Sequence, residues 1–311
     1  MKHVNIIDIN LSTPYTVHYS KNFMITKAII PVAGIGSRFL PASKSIPKEM
    51  FPLVDKPVIQ YIVEEVVASG ITDIIFVTST YKRALEDYFD THFELEYRLE
   101  KKGKISLKDE VCRLKNMANF YFIRQPEPLG DCEAIIRAAR MLKNGESCAV
   151  LWGDDVIVSK EPVLKKIIDV HEKYTAPVFA VERIEGKAIE QYGVIAGEKK
   201  DECLYQVSHI IEKPKREEAP SNLGIVGRYI LTPNVLTALQ NPKPVEGEIR
   251  TSHALRDAIE KGPVYAYEFD GTRFDCGNKL GWLKANIVLG LKDKEIKEEL
   301  GKFIKANVVT D

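Results

Sequence analysis

Charge of one sign is not in excess in this 311-residue chain, where 44 Lys and Arg stand against 44 Asp and Glu for a formal net charge of zero. A nucleic acid or an anionic membrane held by bulk charge is therefore not expected, and any anion must be bound by a local cluster of cations. Long apolar runs are missing as well: no stretch of about 18 apolar residues is present, which argues against a membrane span. The N-terminus lacks the basic-then-apolar order of a signal peptide. The five cysteines (Cys112, Cys132, Cys148, Cys203 and Cys276) are scattered, odd in number and without C-x-x-C pairing. Neither a disulfide framework nor a zinc site is expected from them, and a reducing cytoplasm is the default location. The histidines show no H-E-x-x-H spacing, and no Ser/His/Asp or Cys/His set stands out. Internal repeats and low-complexity segments are absent.

What is present begins with residues 28–48. A short apolar run at 28–32 has the look of a buried parallel strand, and it breaks into Ala33-Gly34-Ile35-Gly36-Ser37. Two glycines there allow positive φ and a close approach of the backbone to a ligand. Arg38, Lys44 and Lys48 follow at once, against the single acid Glu49. Backbone N–H groups in such a turn suit a polyanion, and the cations neutralise its phosphates, as a nucleoside triphosphate requires. The dinucleotide fingerprint G-x-G-x-x-G fails, because Phe39 occupies the third glycine position, so a Rossmann oxidoreductase is set aside. The Walker A spacing is also absent.

The length suits one large α/β domain. Asp55-Lys56-Pro57 reads as an N-cap with proline in the first turn, before a helix whose apolar face runs through Val58, Ile59, Ile62, Val63, Val66 and Val67. A strand at 71–78 follows, so strand, helix and strand imply a right-handed crossover and a parallel sheet. Ligands of such sheets lie at the carboxyl ends of the strands. Residues 81–117 are charged and helical in pattern, either a solvated excursion or an arm that covers the site or contacts another subunit. The strand 149–152 delivers Asp154 and Asp155 to the same carboxyl edge. Two acids there are costly to bury without a cation or hydrogen bonds, and beside a triphosphate they favour Mg²⁺. Further on, 192–195 and 207–211 read as a hairpin turning at 198–201, 223–231 and 264–269 as strands, and 283–291 and 294–304 as helices.

The string G-x-G-S-R followed by P-A-x-K-x-I-P-K-E-M, read here from Gly34 to Met50, resembles the signature of the sugar-1-phosphate nucleotidylyltransferases. The likeness is greatest to bacterial and archaeal uridylyltransferases that act on glucose 1-phosphate. Tyr192-Gly193-Val194, Glu212-Lys213-Pro214, Asn222 through Gly227-Arg228-Tyr229, Gly247-Glu248-Ile249 and Asp275-Cys276-Gly277-Asn278-Lys279 resemble the same enzymes. The resemblance starts at Met24, which has the look of a second initiator. It leaves residues 1–23 as an extension, an added strand or a partner-binding arm, with no function assigned.

The resemblance implies an α/β fold with a Rossmann-like mixed, mostly parallel central sheet flanked by helices. It places a nucleotide-binding half at about 24–160, a sugar-binding half at about 161–285 and C-terminal helices at about 283–305. The activity implied is uridylyl transfer from UTP to glucose 1-phosphate, giving UDP-glucose and pyrophosphate, with Mg²⁺ as cofactor and a homo-oligomer, dimer or tetramer, as the assembly. Position by position, Ala33, Gly34, Gly36 and Ser37 would hold UTP, with Gln125 and Gly130 reading the uracil edge. Arg38 and Lys48 would lie on its phosphates. Glu212 would accept sugar hydroxyls, Lys213 would bind the sugar phosphate, Gly193 and Gly227 would give the hexose room, and Asp154 and Asp275 would share the metal. Alternatives in the same fold are dTTP, galactose 1-phosphate or N-acetylhexosamine 1-phosphate as substrate, or a non-catalytic nucleotide-sugar sensor. Two stretches depart from the family: Leu129-Gly130-Asp131-Cys132-Glu133-Ala134, which bears on base selectivity, and 248–258, which bears on the fit around the sugar.

Overall fold

The computed structural model describes residues 25–127, 130–240 and 251–307. The expected extension 1–23, Met24, Leu129 and Gly247-Glu248-Ile249 lie outside the described residues. The first half of the chain runs β1 (Lys27–Pro31), the short β2 (Pro52–Leu53) and β3 (Lys56–Pro57), α1 (Val58–Ala68), β4 (Asp73–Thr78), α2 (Arg83–Tyr88), α3 (Phe93–Lys101), α4 (Ile105–Leu114), β5 (Asn119–Arg124), α5 (Asp131–Ala139) and β6 (Cys148–Leu151). The second half runs β7 (Asp155–Val158), α6 (Val163–Tyr174), β8 (Val178–Arg183), β9 (Gly193–Asp201), β10 (Leu204–Glu212), β11 (Leu223–Leu231), α7 (Pro233–Gln240), α8 (Thr251–Ile259), β12 (Tyr265–Glu268), β13 (Thr272–Asp275), α9 (Lys279–Gly290) and α10 (Lys297–Asn307).

Among the described residues nine strands form one sheet in the order β5-β4-β1-β6-β11-β8-β12-β10-β9. The crossovers predicted from the sequence hold at one end, where β5, β4, β1 and β6 are mutually parallel. The sheet is mixed as expected but not mostly parallel, because β11 runs antiparallel to both β6 and β8, and β10 antiparallel to both β12 and β9. The run of four parallel strands is therefore confined to the first half, and in the second β8 and β12 pair in parallel between antiparallel neighbours. The physical reason lies in the connections: β9 and β10 are joined by a tight hairpin, which allows only antiparallel pairing.

Side chains alternate across the sheet with period two. Ala28, Ile30, Ile74, Phe76, Ala149 and Leu151 pack on the α1 and α6 side, while Ile29, Ile75, Val77 and Val150 pack on the α5, α7 and α8 side. On α1 the six buried residues Val58, Ile59, Ile62, Val63, Val66 and Val67 together stabilise this docking by on the order of 10 kcal/mol. Three local expectations change. Pro57 closes the β2–β3 pair and stands at the N-cap of α1, without a side-chain cap from Asp55. The β9–β10 hairpin extends through 198–201 and turns at Glu202 and Cys203, its charged residues lying on exposed, paired strands. Residues 272–275, to which the sequence assigns no element, form β13 and pair with β7, placing Asp275 opposite Asp155.

Candidate active site

A cavity of about 1090 Å³ opens at the carboxyl ends of β1 and β6, where the sequence places the glycine turn and the first acid pair. Gly36, Ser37, Arg38 and Lys48 line it from the loop after β1, and Gly130 from the N-terminus of α5. Asp154, Asp275 and Gly277 line it from the β7–β13 side, and Gly193, Glu212, Lys213 and Gly227 from β9, β10 and β11. Ala33, Gly34 and Gln125 are not on its wall. Ala33 is buried at the end of β1, and Gly34 is open to solvent with nothing within 4 Å of where a Cβ would stand. Lys44, a cation of the same sequence motif, is exposed and also stands apart from the lining.

The turn itself depends on Gly36. Its φ is +68°, and a Cβ there would lie 3.2 Å from the Cβ of Ser43, whose Oγ donates to the Gly36 carbonyl at 2.7 Å. That closure carries the chain around so that Lys48 faces the acids. Lys48 Nζ lies 2.5 Å from Asp154 Oδ2, and Arg38 lies 3.9 Å from Asp275 Oδ2. Burial works against the Lys48 ammonium, but Asp154 and Glu49 outweigh it and hold its pKa above 10.5. Next to it Glu49 is buried against Lys82 Nζ at 2.6 Å. Burial raises the Glu49 carboxyl and lowers the Lys82 ammonium from their ordinary values.

Asp154 and Asp275 are 121 positions apart in sequence yet converge over one glycine. A Cβ on Gly277 would fall 2.3 Å from Asp154 Oδ2 and 2.9 Å from Asp275 Oδ1, so only glycine leaves both carboxylates where they are. The Gly277 N–H donates to Asp275 Oδ1 at 2.9 Å, and the Cys276 N–H donates to the Asp154 carbonyl at 2.8 Å. Among the described residues no group of three or more His, Cys, Asp or Glu could hold a metal. Two carboxylates and adjacent cations, with room for phosphates, suit a hard divalent ion that keeps much of its shell from substrate and water. A fully protein-made cage, as a structural zinc needs, is not what these residues build.

Asp155, its sequence neighbour, does different work. It is buried, accepts the Gly227 N–H at Oδ2 (3.1 Å), and pairs at Oδ1 with Arg273 (2.7 Å). Burial pushes its carboxyl above the ordinary range although Arg273 opposes the shift. Arg273 also reaches Glu182 at 2.6 Å and the Tyr192 hydroxyl at 2.6 Å, tying β13 to β7, to β8 and to the residue before Gly193. The glycine at 227 is explained by this packing. A Cβ there would sit 2.3 Å from the Trp152 ring and 2.7 Å from Asp155 Oδ2, so the space it leaves is filled by protein. Gly193 faces Glu212 Oε2 at 3.1 Å from its virtual Cβ, across the β9–β10 pair. Lys213, just past β10, holds a positive φ of 46° and is exposed at the cavity wall.

Beneath the site lies a charge that the strand pattern of 223–231 does not announce. Arg228 is fully buried and binds Glu65 on α1 through Nε and Nη2, at 3.0 and 2.6 Å to Oε2. It also donates to the carbonyls of Gly227 (3.0 Å) and Asp155 (2.7 Å). Sequence reasoning assigned no role to Glu65, Lys82, Glu182, Arg228 or Arg273. An arginine inside a nine-residue run that is otherwise apolar or small was the available signal for Arg228.

Residues 27–289 match the family model described as Nucleotidyl transferase. A Staphylococcus haemolyticus protein named UTP--glucose-1-phosphate uridylyltransferase is 47% identical over 282 residues, which cover 90% of this chain and 98% of that relative. One from Staphylococcus saprophyticus, named UTP--glucose-1-phosphate uridylyltransferase 2, is 45% identical over the same length and 97% of its own. Among solved structures, the UTP-bound UGPase from Acinetobacter baumannii superposes with a TM-score of 0.85 at 38% identity, over 91% of this chain and 99% of that one. A UDP-glucose pyrophosphorylase complexed with UDP-glucose gives a TM-score of 0.79 at 38% identity, over 86% of this chain and 100% of that one.

Proposed function

This chain belongs to the nucleotidyl transferase family, among its UTP–glucose-1-phosphate uridylyltransferases, and from that premise we propose how its own residues make UDP-glucose and pyrophosphate. The observation that carries the reading is the meeting, in one cavity, of two groups, one carried by β1, β6 and β13 with the loops after them and the other by β9 and the end of β10. Gly36, Arg38, Lys48, Asp154 and Asp275 stand on one side, and Gly193, Glu212 and Lys213 on the other.

UTP lies with its phosphates over the Gly36 turn, where Arg38 and Lys48 meet their charge. Glucose 1-phosphate is held by Glu212 at its hydroxyls and by Lys213 at its phosphate. Asp154 and Asp275 would hold Mg²⁺, which would supply further neutralisation of the triphosphate. An oxygen of the sugar phosphate attacks the α-phosphorus of UTP in line, and the bond to the β-phosphate bridging oxygen breaks. Pyrophosphate leaves with that electron pair, and no covalent enzyme intermediate forms. No general base is required, because the second pKa of a phosphate monoester is about 6 and the attacking oxygen is already anionic at neutral pH. What the residues contribute is positioning and charge stabilisation, the two terms that dominate phosphoryl transfer.

The test is direct. Purified protein with UTP, glucose 1-phosphate and Mg²⁺ is expected to release pyrophosphate and UDP-glucose one for one, and chelation stops both. Faster release with dTTP, or with galactose or N-acetylhexosamine 1-phosphate, would move the assignment within the family. No release with any pair would overturn it.

A further inference from the structure

We infer that Glu133 sets the preference of this site for uracil over cytosine, by fixing which end of the Gln125 carboxamide is offered to the base. The inference rests on the proposed reading of Gln125 as a base-contacting residue. It addresses the stretch 130–134, where the sequence departs from its family.

The observation is a short relay of side chains. Gln125 Nε2 donates to the Gly130 carbonyl at 3.0 Å and to Glu133 Oε2 at 2.7 Å. A primary amide has two N–H hydrogens, and both are now engaged. Turning the amide over would set Oε1 against a carbonyl and a carboxylate, with no hydrogen between acceptors, so the network itself decides the orientation. Arg137, one helical turn further along α5, forms an ion pair with the other Glu133 oxygen and anchors that side chain. Gly130 and Glu133 both line the cavity, and Gln125, 5% exposed, stands behind them.

What Gln125 has left for a ligand is Oε1, an acceptor. Uracil presents an imide N–H at N3, a donor, which that oxygen satisfies. Cytosine presents a bare N3, so acceptor would meet acceptor and each would lose its hydrogen bond to water without replacement. An unconstrained glutamine can rotate by half a turn and serve either base. Glu133 removes that freedom, and a site so constrained rejects the wrong pattern of donors and acceptors far better than it rejects a difference in bulk. An ordinary reading of Glu133, an acid in the first turn of α5 favoured by the helix dipole, predicts an effect on stability and none on the choice of base.

The experiment measures kcat/KM for UTP and for CTP, each with saturating glucose 1-phosphate, in wild type, Glu133→Gln, Arg137→Met and Gln125→Leu. In Glu133→Gln the new amide can donate to Oε1 and only the Gly130 carbonyl still opposes the turn of Gln125, so the UTP-to-CTP ratio is expected to fall by about tenfold. Arg137→Met leaves Glu133 in place but unanchored, and shifts the ratio the same way by a smaller factor. This variant keeps the test open should Glu133→Gln fold poorly. A ratio within twofold of wild type in both, with Gln125→Leu abolishing discrimination, overturns the role of Glu133 alone. An unchanged ratio in Gln125→Leu overturns the inference at its premise. Absence of any UTP-dependent turnover in wild type would instead count against the assigned activity.

Discussion

Lys213 adopts the left-handed backbone region at φ 46° although it is not a glycine. For a residue with a Cβ that conformation costs about 1–2 kcal/mol, and such strain persists where the side chain has a task. Lys213→Ala is expected to lower turnover by about a hundredfold or more, the usual loss for one charge aimed at a phosphoryl transition state, and to leave the urea midpoint unchanged. Lys213→Gly is expected to lose the same activity while raising stability by up to about 1 kcal/mol, because the strain is relieved. An alanine variant within tenfold of wild type refutes the role. At this scale the sequence was readable where the chemistry is local. Gly36, Arg38 and Lys48 lie within 13 consecutive positions, and the turn brings them to the cavity together. It was unreadable where a residue's meaning lies in a distant partner, as for Arg273, whose three partners come from three other segments.

The pairing of β7 with β13 is the element on which the proposed metal site depends. It places Asp275 opposite Asp155 and so brings Asp275 within reach of Asp154, a register that no local spacing encodes. Gly277→Ala would drive a methyl group into both carboxylates, at 2.3 and 2.9 Å. The expected result is a shift of the Mg²⁺ dependence of turnover to much higher concentration, with far-ultraviolet circular dichroism unchanged. The clamp of β11 on α1 behaves differently, as a matter of stability. Arg228→Met leaves Glu65 buried and unpaired, which is expected to lower the unfolding free energy by about 3–5 kcal/mol in urea titrations. A loss below 1 kcal/mol would show that Glu65 finds water or another donor. The helices and strands around these positions were legible from period and apolar content. The reversal of β10 against β9 was legible as a hairpin, but the antiparallel placement of β11 against β6 and β8 was not, because strand direction there follows from tertiary pairing.

For the molecule as a whole, the proposed chemistry fixes a pH dependence. The sugar phosphate loses its second proton near pH 6, so kcat/KM for glucose 1-phosphate is expected to rise to a plateau above that point. Burial disfavours the Lys48 ammonium, but Asp154 and Glu49 outweigh it and hold its pKa above the ordinary lysine range, so its charge persists well past neutral pH. The plateau is therefore expected to stay flat from pH 7 to 9. A fall within that window would reveal a titrating group that the mechanism does not contain. The overall architecture was legible as far as an α/β fold with its site at the carboxyl edge of the strands. The continuity of the sheet across both halves was not, since it depends on β6 lying against β11, where Val150 faces Tyr229.

That seam governs how the polypeptide can be divided. A backbone cut near residue 160 would strip β6 of its neighbour on one side and leave Glu65 and Arg228, 163 positions apart, in separate molecules. Two such fragments are expected to precipitate when each is made alone and to recover turnover when they are synthesised together, which co-expression from two genes would reveal.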